Sequence, residues 1–391
     1  MPPAYGLMVP EDEDAVADLL AGAFATKKED VPTWIERASK QQVRVLREAN
    51  TPVAALMLVP MAHVFGGREV ENVGIAGVGV ALHKRGTHAA LELMTRCVRE
   101  LAEAGTAVSS LFPATQTLYR RVGYERAGKL METTIYREAL ANVGRTDLEV
   151  RPLTKADQPE MEAMLAASNQ RYHGALVRGP YLWNRLWDRP QKPARVFGFY
   201  DGSALRAYLA MLQEPDAHNP PEHAVRLVDV AYVSREGALA ILGFLRAQRS
   251  LATEFTFRGP PSDGLLGFLE EPRYDEVSVL DWMLRLTNLR AAFAQRGYPQ
   301  GAKVELTFEV DDVVLASQTG AHRLVVEGGR GTIETAPHAA WRLSVRTLAS
   351  MYSGYLKPRE ARRVGLLEGE GDLEAWESAF NDAIPAVSEM F

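Results

Sequence analysis

Apolar side chains recur at helical spacing near the start of the chain, at Ala15, Val16, Leu19, Leu20, Ala23 and Phe24, so residues 12–24 read as an amphipathic helix. Residues 34–39 read as a shorter second one. Runs at 43–46 and 52–59, on either side of the turn-forming Glu48-Ala49-Asn50-Thr51, predict a β-hairpin. A third strand is predicted over 71–82, and its alternation slips. Val73 and Ile75 share one phase, Val78 and Val80 the other, with glycines at 74, 77 and 79, a pattern that predicts a β-bulge. The strand runs into the basic turn 83–88. A helical stretch follows, with Ala90, Met94, Cys97, Val98 and Leu101 on one stripe and Gly105 at its end. Residues 107–111 read as the next strand, a short helical segment carries Tyr119, Arg120 and Arg121, and 131–137 closes the unit.

The order of elements then repeats. Residues 157–168 are helical in pattern, 195–200, 204–212 and 226–233 are strand-like, and 236–250 is helical again. After Trp282-Met283-Leu284 the rhythm changes: a helical 287–296, strands at 303–310 and 323–327, and a helical close. A chain of 391 residues is expected to hold two or three domains of about 100–200 residues each. The pattern divides it at 1–147, 148–285 and 286–391.

The hydrophobic fraction of 47% and the charged fraction of 24% are those of a folded globular protein. No apolar run approaches the roughly 20 residues of a membrane helix, and residues 1–14 are acidic and lack the basic and apolar regions of a signal peptide. A cytoplasmic protein is expected, with no membrane partner. A net charge of −6 argues against general nucleic-acid binding and suits a cationic substrate. Cys97, the single cysteine, excludes an intrachain disulfide and a cysteine-rich metal site. It lies on the apolar stripe with Met94 and Leu101, so it reads as a core residue and not as an acyl-carrying nucleophile. No His, Asp and Glu cluster has metal-ligand spacing, and no metal is expected.

The chemistry concentrates at the turn after the bulged strand. A short basic turn leading into a helix N-terminus can hold a pyrophosphate, because free N–H groups and the positive helix end face the phosphates. Gly86 permits close backbone approach, and His83, Lys84, Arg85, Thr87 and His88 complete the turn. Coenzyme A fits such a site. The bulged strand, through Val78 and Val80, offers backbone groups to the pantetheine amides, and the Val78 N–H is placed to polarise an acyl carbonyl. The corresponding turn of the second unit carries Glu236 beside Gly237. A carboxylate about 4 Å from a phosphate repels it by ~1 kcal/mol in bulk water and by more where solvent is excluded. The second unit is therefore expected to bind no coenzyme A and to frame the substrate cleft.

The stretch Val78-Gly-Val-Ala-Leu-His-Lys-Arg-Gly-Thr-His88, followed by Phe112-Pro-Ala-Thr-Gln-Thr-Leu-Tyr-Arg-Arg-Val-Gly-Tyr124, resembles the GNAT acetyltransferase superfamily, and more narrowly its enhanced intracellular survival (Eis) type. In the superfamily's Gln/Arg-x-x-Gly-x-Gly/Ala signature only Gly86 matches; His83 and His88 stand at the first and last positions. The resemblance covers the chain. It implies an α+β protein of two tandem GNAT-like mixed-sheet domains followed by a sterol-carrier-protein-like α/β domain. In the last, residues 286–298 and 343–352 carry the family's pattern.

The resemblance also implies an activity: transfer of an acetyl or similar short acyl group from acetyl-CoA to a primary amine of a polycationic acceptor, such as an aminoglycoside, a polyamine or a lysine. Tyr119 takes the general-acid position, and the terminal carboxylate of Phe391 is the base or the group that orients the amine. Tyr124 reads as a structural aromatic. Trp34, Glu29 and Asp30 are the candidates to wall the acceptor pocket and attract its charge. A symmetric homo-oligomer, with a hexamer as the candidate form, is implied as well. The rival class is a non-enzymatic lipid- or sterol-binding protein with degenerate GNAT-like domains, and a third is an acyl-CoA hydrolase.

Overall fold

A computed structural model describes residues 3–189, 192–380 and 385–391. The first unit supplies β1 (Ala4–Leu7), β2 (Val43–Glu48), β3 (Thr51–Phe65), β4 (Arg68–Val80), β5 (Val108–Leu111) and β6 (Glu125–Tyr136). The second supplies β7 (Glu149–Leu153), β8 (Leu176–Val177), β9 (Arg195–Asp201), β10 (Ala204–Pro215), β11 (His223–Tyr232), β12 (Ala252–Gly259) and β13 (Tyr274–Leu286). They join into one thirteen-stranded sheet, ordered β1-β2-β3-β4-β5-β13-β6-β12-β11-β10-β9-β7, with β8 added on β3.

That order holds an exchange. β13, the last strand of the second unit, lies between β5 and β6 of the first, and β6 reaches across to pair antiparallel with β12. Each exchanged strand packs side chains into the other unit's core. Met283 of β13 packs with Leu93, Val98 and Tyr124, while Ile135 of β6 packs with Leu227, Ile241 and Phe255.

The helices of the first unit are α1 (Glu13–Phe24), α2 (Val31–Ala38), α3 (Ala89–Glu103) and α4 (Gln116–Arg120). Those of the second are α5 (Gln158–Asn169), α6 (Pro180–Trp187) and α7 (Arg235–Gln248). The helical stripe read from the sequence is the face that α3 buries. Leu93, Met94, Cys97 and Val98 are fully buried, and Gly105 ends the helix at φ +80°. Burial of each apolar side chain of this size contributes roughly 1.5–3 kcal/mol.

The third unit has α8 (Leu289–Gln295), β14 (Val304–Asp311), β15 (Gly320–Glu327), β16 (Arg330–Thr335), β17 (Trp341–Ser344), α9 (Val345–Tyr352), α10 (Pro358–Arg363), β18 (Glu368–Gly369) and α11 (Leu373–Phe380). Its sheet runs β16-β15-β14-β17-β18. Aromatic rings fill its interior, with Trp376 on Phe308 at 5.2 Å and on Phe380 at 5.6 Å. The unit is tied to the large sheet by a fully buried ion pair, in which Arg285 Nη2 reaches both carboxylate oxygens of Asp312 at 2.7 Å. Its core is continuous with that around Trp282, Leu284 and Phe65.

Candidate active site

The slip in alternation along the third predicted strand is a bulge in the structure. β3 and β4 pair Ala55 with Gly79 but Met57 with Ala76, which leaves Gly77 and Val78 without a register partner on β3. Gly77 has φ +59°, a left-handed conformation that favours glycine, and it lies against the flexible end of Met57. On its other side β4 pairs in parallel with β5 only as far as Ile75 and Leu111. Beyond that point the strands part, and Val78 and Val80, both half-buried, line the edge of the opening.

A single 3-10 turn, Leu82–Lys84, leads from β4 towards α3. His83, Arg85, Gly86, Thr87 and His88 are exposed, and His88 caps α3 without a side-chain bond. Gly86 has φ +77°, with open space where a Cβ would stand. A helix N-terminus with no side chain in the way is the form of a loop that can wrap an anion, although the N–H groups of Lys84, Arg85 and Thr87 donate to carbonyls of the turn and that of Ala89 donates to Thr87 Oγ1 at 3.3 Å. Two of its cations already have partners. Lys84 Nζ donates to Glu48 Oε2 at 2.5 Å, and Arg85 Nη2 donates to the Ala23 carbonyl at 3.2 Å. The sequence reading did not pair Glu48 with the turn, because β2 and the turn are 36 residues apart.

The second unit's turn is built differently. Only Val233 and Ser234 separate β11 from α7, where eight residues separate β4 from α3. Ser234 Oγ accepts from the Gly237 N–H at 3.1 Å, so the helix N-terminus caps itself. A Cβ at Gly237 would stand 2.6 Å from the Arg206 carbonyl oxygen, so the glycine here is a packing requirement, not a phosphate cradle.

Tyr119 lies on α4 against the core that includes Ile75 and Leu111, with Val78 and Val80 packed against it. Its ring meets Tyr124 edge-on at 6.3 Å. Burial pushes the Tyr119 phenol up to about 12, so it is protonated at neutral pH. Tyr124 is fully buried and shares a hydrogen bond with Ser109 Oγ at 2.7 Å, a packing residue as read from the sequence. Cys97 is fully buried in the same core, its thiol pushed up to about 12 chiefly by burial.

The C-terminal segment crosses the seam between the first two units. The Ala386 N–H donates to the His173 carbonyl at 2.7 Å, and Glu389 pairs with the buried Arg178. Arg178 also holds Asp229, through Nη1 at 2.6 Å and Nη2 at 2.9 Å, and Tyr208 donates to Asp229 at 2.9 Å. Arg185 donates to the Met390 carbonyl. Phe391 then packs beside Phe112, ring centres 5.3 Å apart, and over Gly74, where a Cβ would stand 2.6 Å from its ring. Gly74 and Val73 alternate along β4, so Phe391 lies on one face of that strand and the Tyr119 cluster on the other. The clamp of Arg178, Asp229 and Glu389 went unread in the sequence; Arg178 and Glu389 are 211 residues apart.

Trp34 on α2 is half-buried, edge-on to Phe24 at 6.1 Å. Tyr181 on α6 packs against both the core that Trp34 covers and the core that Phe391 covers. Glu29 and Asp30 are exposed on the turn before α2.

Comparison with known proteins places these features in families. Residues 5–127 and 174–286 each match an Acetyltransferase (GNAT) domain family, and residues 289–388 match the Sterol carrier protein domain family. The chain is a GNAT acetyltransferase. Two GNAT domains stand in tandem and a sterol carrier protein domain follows, in the α+β architecture expected from the sequence. Acetyl-CoA is the co-substrate that GNAT domains imply. No curated protein matches the chain. Among solved structures it is similar over its whole length to a GCN5-related N-acetyltransferase from Anabaena variabilis ATCC 29413, with 26% identity, all of that chain covered and a TM-score of 0.95. A GCN5-related N-acetyltransferase from Kribbella flavida shares its fold at 23% identity, with 98% of that chain covered and a TM-score of 0.87. Eis1 from Mycobacterium abscessus shares the fold at 20% identity, with both chains covered in full and a TM-score of 0.80. No helix among the described residues of this acetyltransferase is long and apolar enough to cross a membrane.

Proposed function

We propose that the enzyme moves an acetyl group from acetyl-CoA to a primary amine of a polycationic acceptor, by direct transfer at the opening between β4 and β5. The observation that carries the reading is the unpaired bulge of β4 at Val78, beside the core that holds the protonated phenol of Tyr119; Phe391 packs over Gly74 on the other face of the same strand. Pantetheine lies along the bulged strand through Val78 and Val80, and the pyrophosphate sits on the turn 83–88. The Val78 N–H stabilises the oxyanion of the tetrahedral intermediate. The amine attacks as the free base, its proton drawn towards the Phe391 carboxylate, and Tyr119 donates to the departing thiolate. Trp34, Glu29 and Asp30 receive the acceptor's cationic body.

The second unit binds no acetyl-CoA in this reading, and its short, self-capped turn supports that. The three units of 1–147, 148–285 and 286–391 act as one enzyme, the last delivering the carboxylate, and the chain assembles as a symmetric homo-oligomer. The test is acceptor-dependent release of free thiol from acetyl-CoA over a panel of polyamines, aminoglycosides and lysine peptides. Release that needs no acceptor would make the protein a hydrolase and overturn the proposal.

A further inference from the structure

Where β11 and β12 cease to pair, after Arg226 and Thr256, the second unit has its own opening, the counterpart of the one between β4 and β5. It is not filled. A cavity of about 210 Å³ lies there, walled by α6 on one side and by Ser388, Glu389 and Met390 on the other. Five guanidiniums and three carboxylates line it, an excess of two positive charges.

The pairing inside the cavity divides these charges unevenly. Arg178 is held between two carboxylates, Asp229 and Glu389, and Arg258 pairs with Glu132 at 3.2 Å. Arg226 pairs outwards with Glu214 at 3.4 Å. Arg185 and Arg189 remain, and among the described residues neither has a carboxylate within 4 Å. The one hydrogen bond of Arg185 goes to the neutral Met390 carbonyl, and Arg189 Nε is buried with no partner at all. An unpaired guanidinium donor shut away from water is costly unless something accepts from it. Burial, with the neighbouring Arg185 and Arg226, lowers the proton affinity of Arg189, against the opposing pull of Glu389 and Asp229.

We propose that this cavity is an oxyanion site, in which Arg185 and Arg189 together hold a carboxylate or a phosphate group. Planar guanidinium forks suit both, through paired N–H···O bonds. The anion has two sources. It is either a free ion, held next to the segment that carries Phe391, or a group on the acceptor itself, whose amine the site would then direct past Met390 towards β4. The proposal stands apart from the acetyl-transfer reading, since binding of the anion needs no turnover.

The test begins with calorimetric titration of the full-length enzyme with inorganic phosphate, alone and beside Arg185→Gln, Arg189→Gln and Arg189→Lys. Arg206→Gln, which removes an exposed arginine paired with Asp201, is the control for general charge. Phosphate binding that weakens at least tenfold in both glutamine variants, less in the lysine variant and not in the control, supports the site; the lysine variant also guards against misfolding. No binding to the wild type, or equal binding in all variants, overturns it. The second arm compares acetylation of glucosamine with that of glucosamine 6-phosphate. A lower KM for the phosphorylated amine that is lost in Arg189→Gln identifies the acceptor as the source. Phosphate binding without that preference identifies a free ion.

Discussion

Adding two residues after Phe391 leaves every side chain of the enzyme in place and removes one group, the carboxylate at that position. The anchors that hold the segment are upstream: Glu389 on Arg178, the Met390 carbonyl on Arg185, and the Ala386 N–H on His173. A Gly-Ser extension is therefore expected to leave folding intact and to lower turnover. Losing a positioned proton acceptor lowers rates by about 10²–10⁴, or ~2.7–5.5 kcal/mol of barrier. Deleting Phe391 instead moves the new terminus back by about 3.3–3.6 Å, beyond the reach of a proton transfer that needs heavy atoms about 2.6–3.2 Å apart. It also removes a half-buried ring from Phe112 and Gly74, which costs roughly 1–2 kcal/mol of stability against about 1.5–3 for a fully buried one. The two variants thus separate chemistry from packing: both lose turnover, and only the deletion loses thermal stability. Thiol release gives kcat, and calorimetric titration of acetyl-CoA should give an affinity within about twofold of the wild type in both. Wild-type turnover in the extended enzyme would refute the role of the carboxylate.

Replacing Lys84 and Arg85 together by Ala should weaken acetyl-CoA binding several-fold to a hundredfold, with charge-assisted bonds contributing ~1.5–3 kcal/mol each before non-additivity. Arg85 should give the larger single effect, since Lys84 must first leave Glu48; titration that finds the double variant unchanged places the pyrophosphate elsewhere. His63 is buried between the Gly174 carbonyl and Ser110 Oγ, and burial lowers it to about 4. Its folded value lies below the unfolded one of about 6.5, so its contribution is full above pH 6.5 and is lost as pH falls towards 4, about 2 kcal/mol by pH 5. The urea midpoint should fall between pH 7 and pH 5, and equal losses in wild type and His63→Gln would dismiss His63 as the cause. Asp312→Asn leaves Arg285 charged and uncompensated in the core, with an expected loss of ~3–5 kcal/mol in urea unfolding. A change under about 1 kcal/mol would mean that solvent reaches the pair.

What the sequence made legible was local. The bulge could be read because a left-handed residue against Met57 favours glycine, and Gly77 interrupts a strict alternation. α3 could be read because its buried stripe repeats every three to four residues. The phosphate turn could be read from its basic residues between a strand and a helix N-terminus, Tyr119 and Phe391 were named by resemblance, and the structure adds what surrounds them. Partnerships across long separations were not legible. Nothing in the run from Tyr274 to Leu286 says which sheet it will join, since Trp282, Met283 and Leu284 are buried whichever neighbours they have. The tail clamp has no periodicity either: Arg178, Asp229 and Glu389 come from three separate segments, and only the fold makes them one network.

The strand exchange also decides how the single acetyl-CoA site can be tested. A fragment of residues 148–285 keeps β7 to β13, yet β13 touches no strand of its own unit; its neighbours are β5 and β6. Cut free, β13 would expose Trp282, Met283 and Leu284, all fully buried in the whole chain, and β12 would lose its pairing with β6. At roughly 1.5–3 kcal/mol for each large apolar side chain, that exposure costs about 4.5–9 kcal/mol, comparable with the whole stability of a typical domain, about 5–15 kcal/mol. The fragment is expected to be unfolded or aggregated, and a dispersed NMR spectrum with cooperative unfolding would refute this. Failure of the fragment to bind acetyl-CoA would therefore say nothing about its turn. The count must come from the intact chain, where calorimetry should find one acetyl-CoA per chain and lose it in Gly86→Glu, which puts a carboxylate into the first turn as Glu236 does in the second. Two molecules bound per chain, or one retained in Gly86→Glu, would place acetyl-CoA at the second unit.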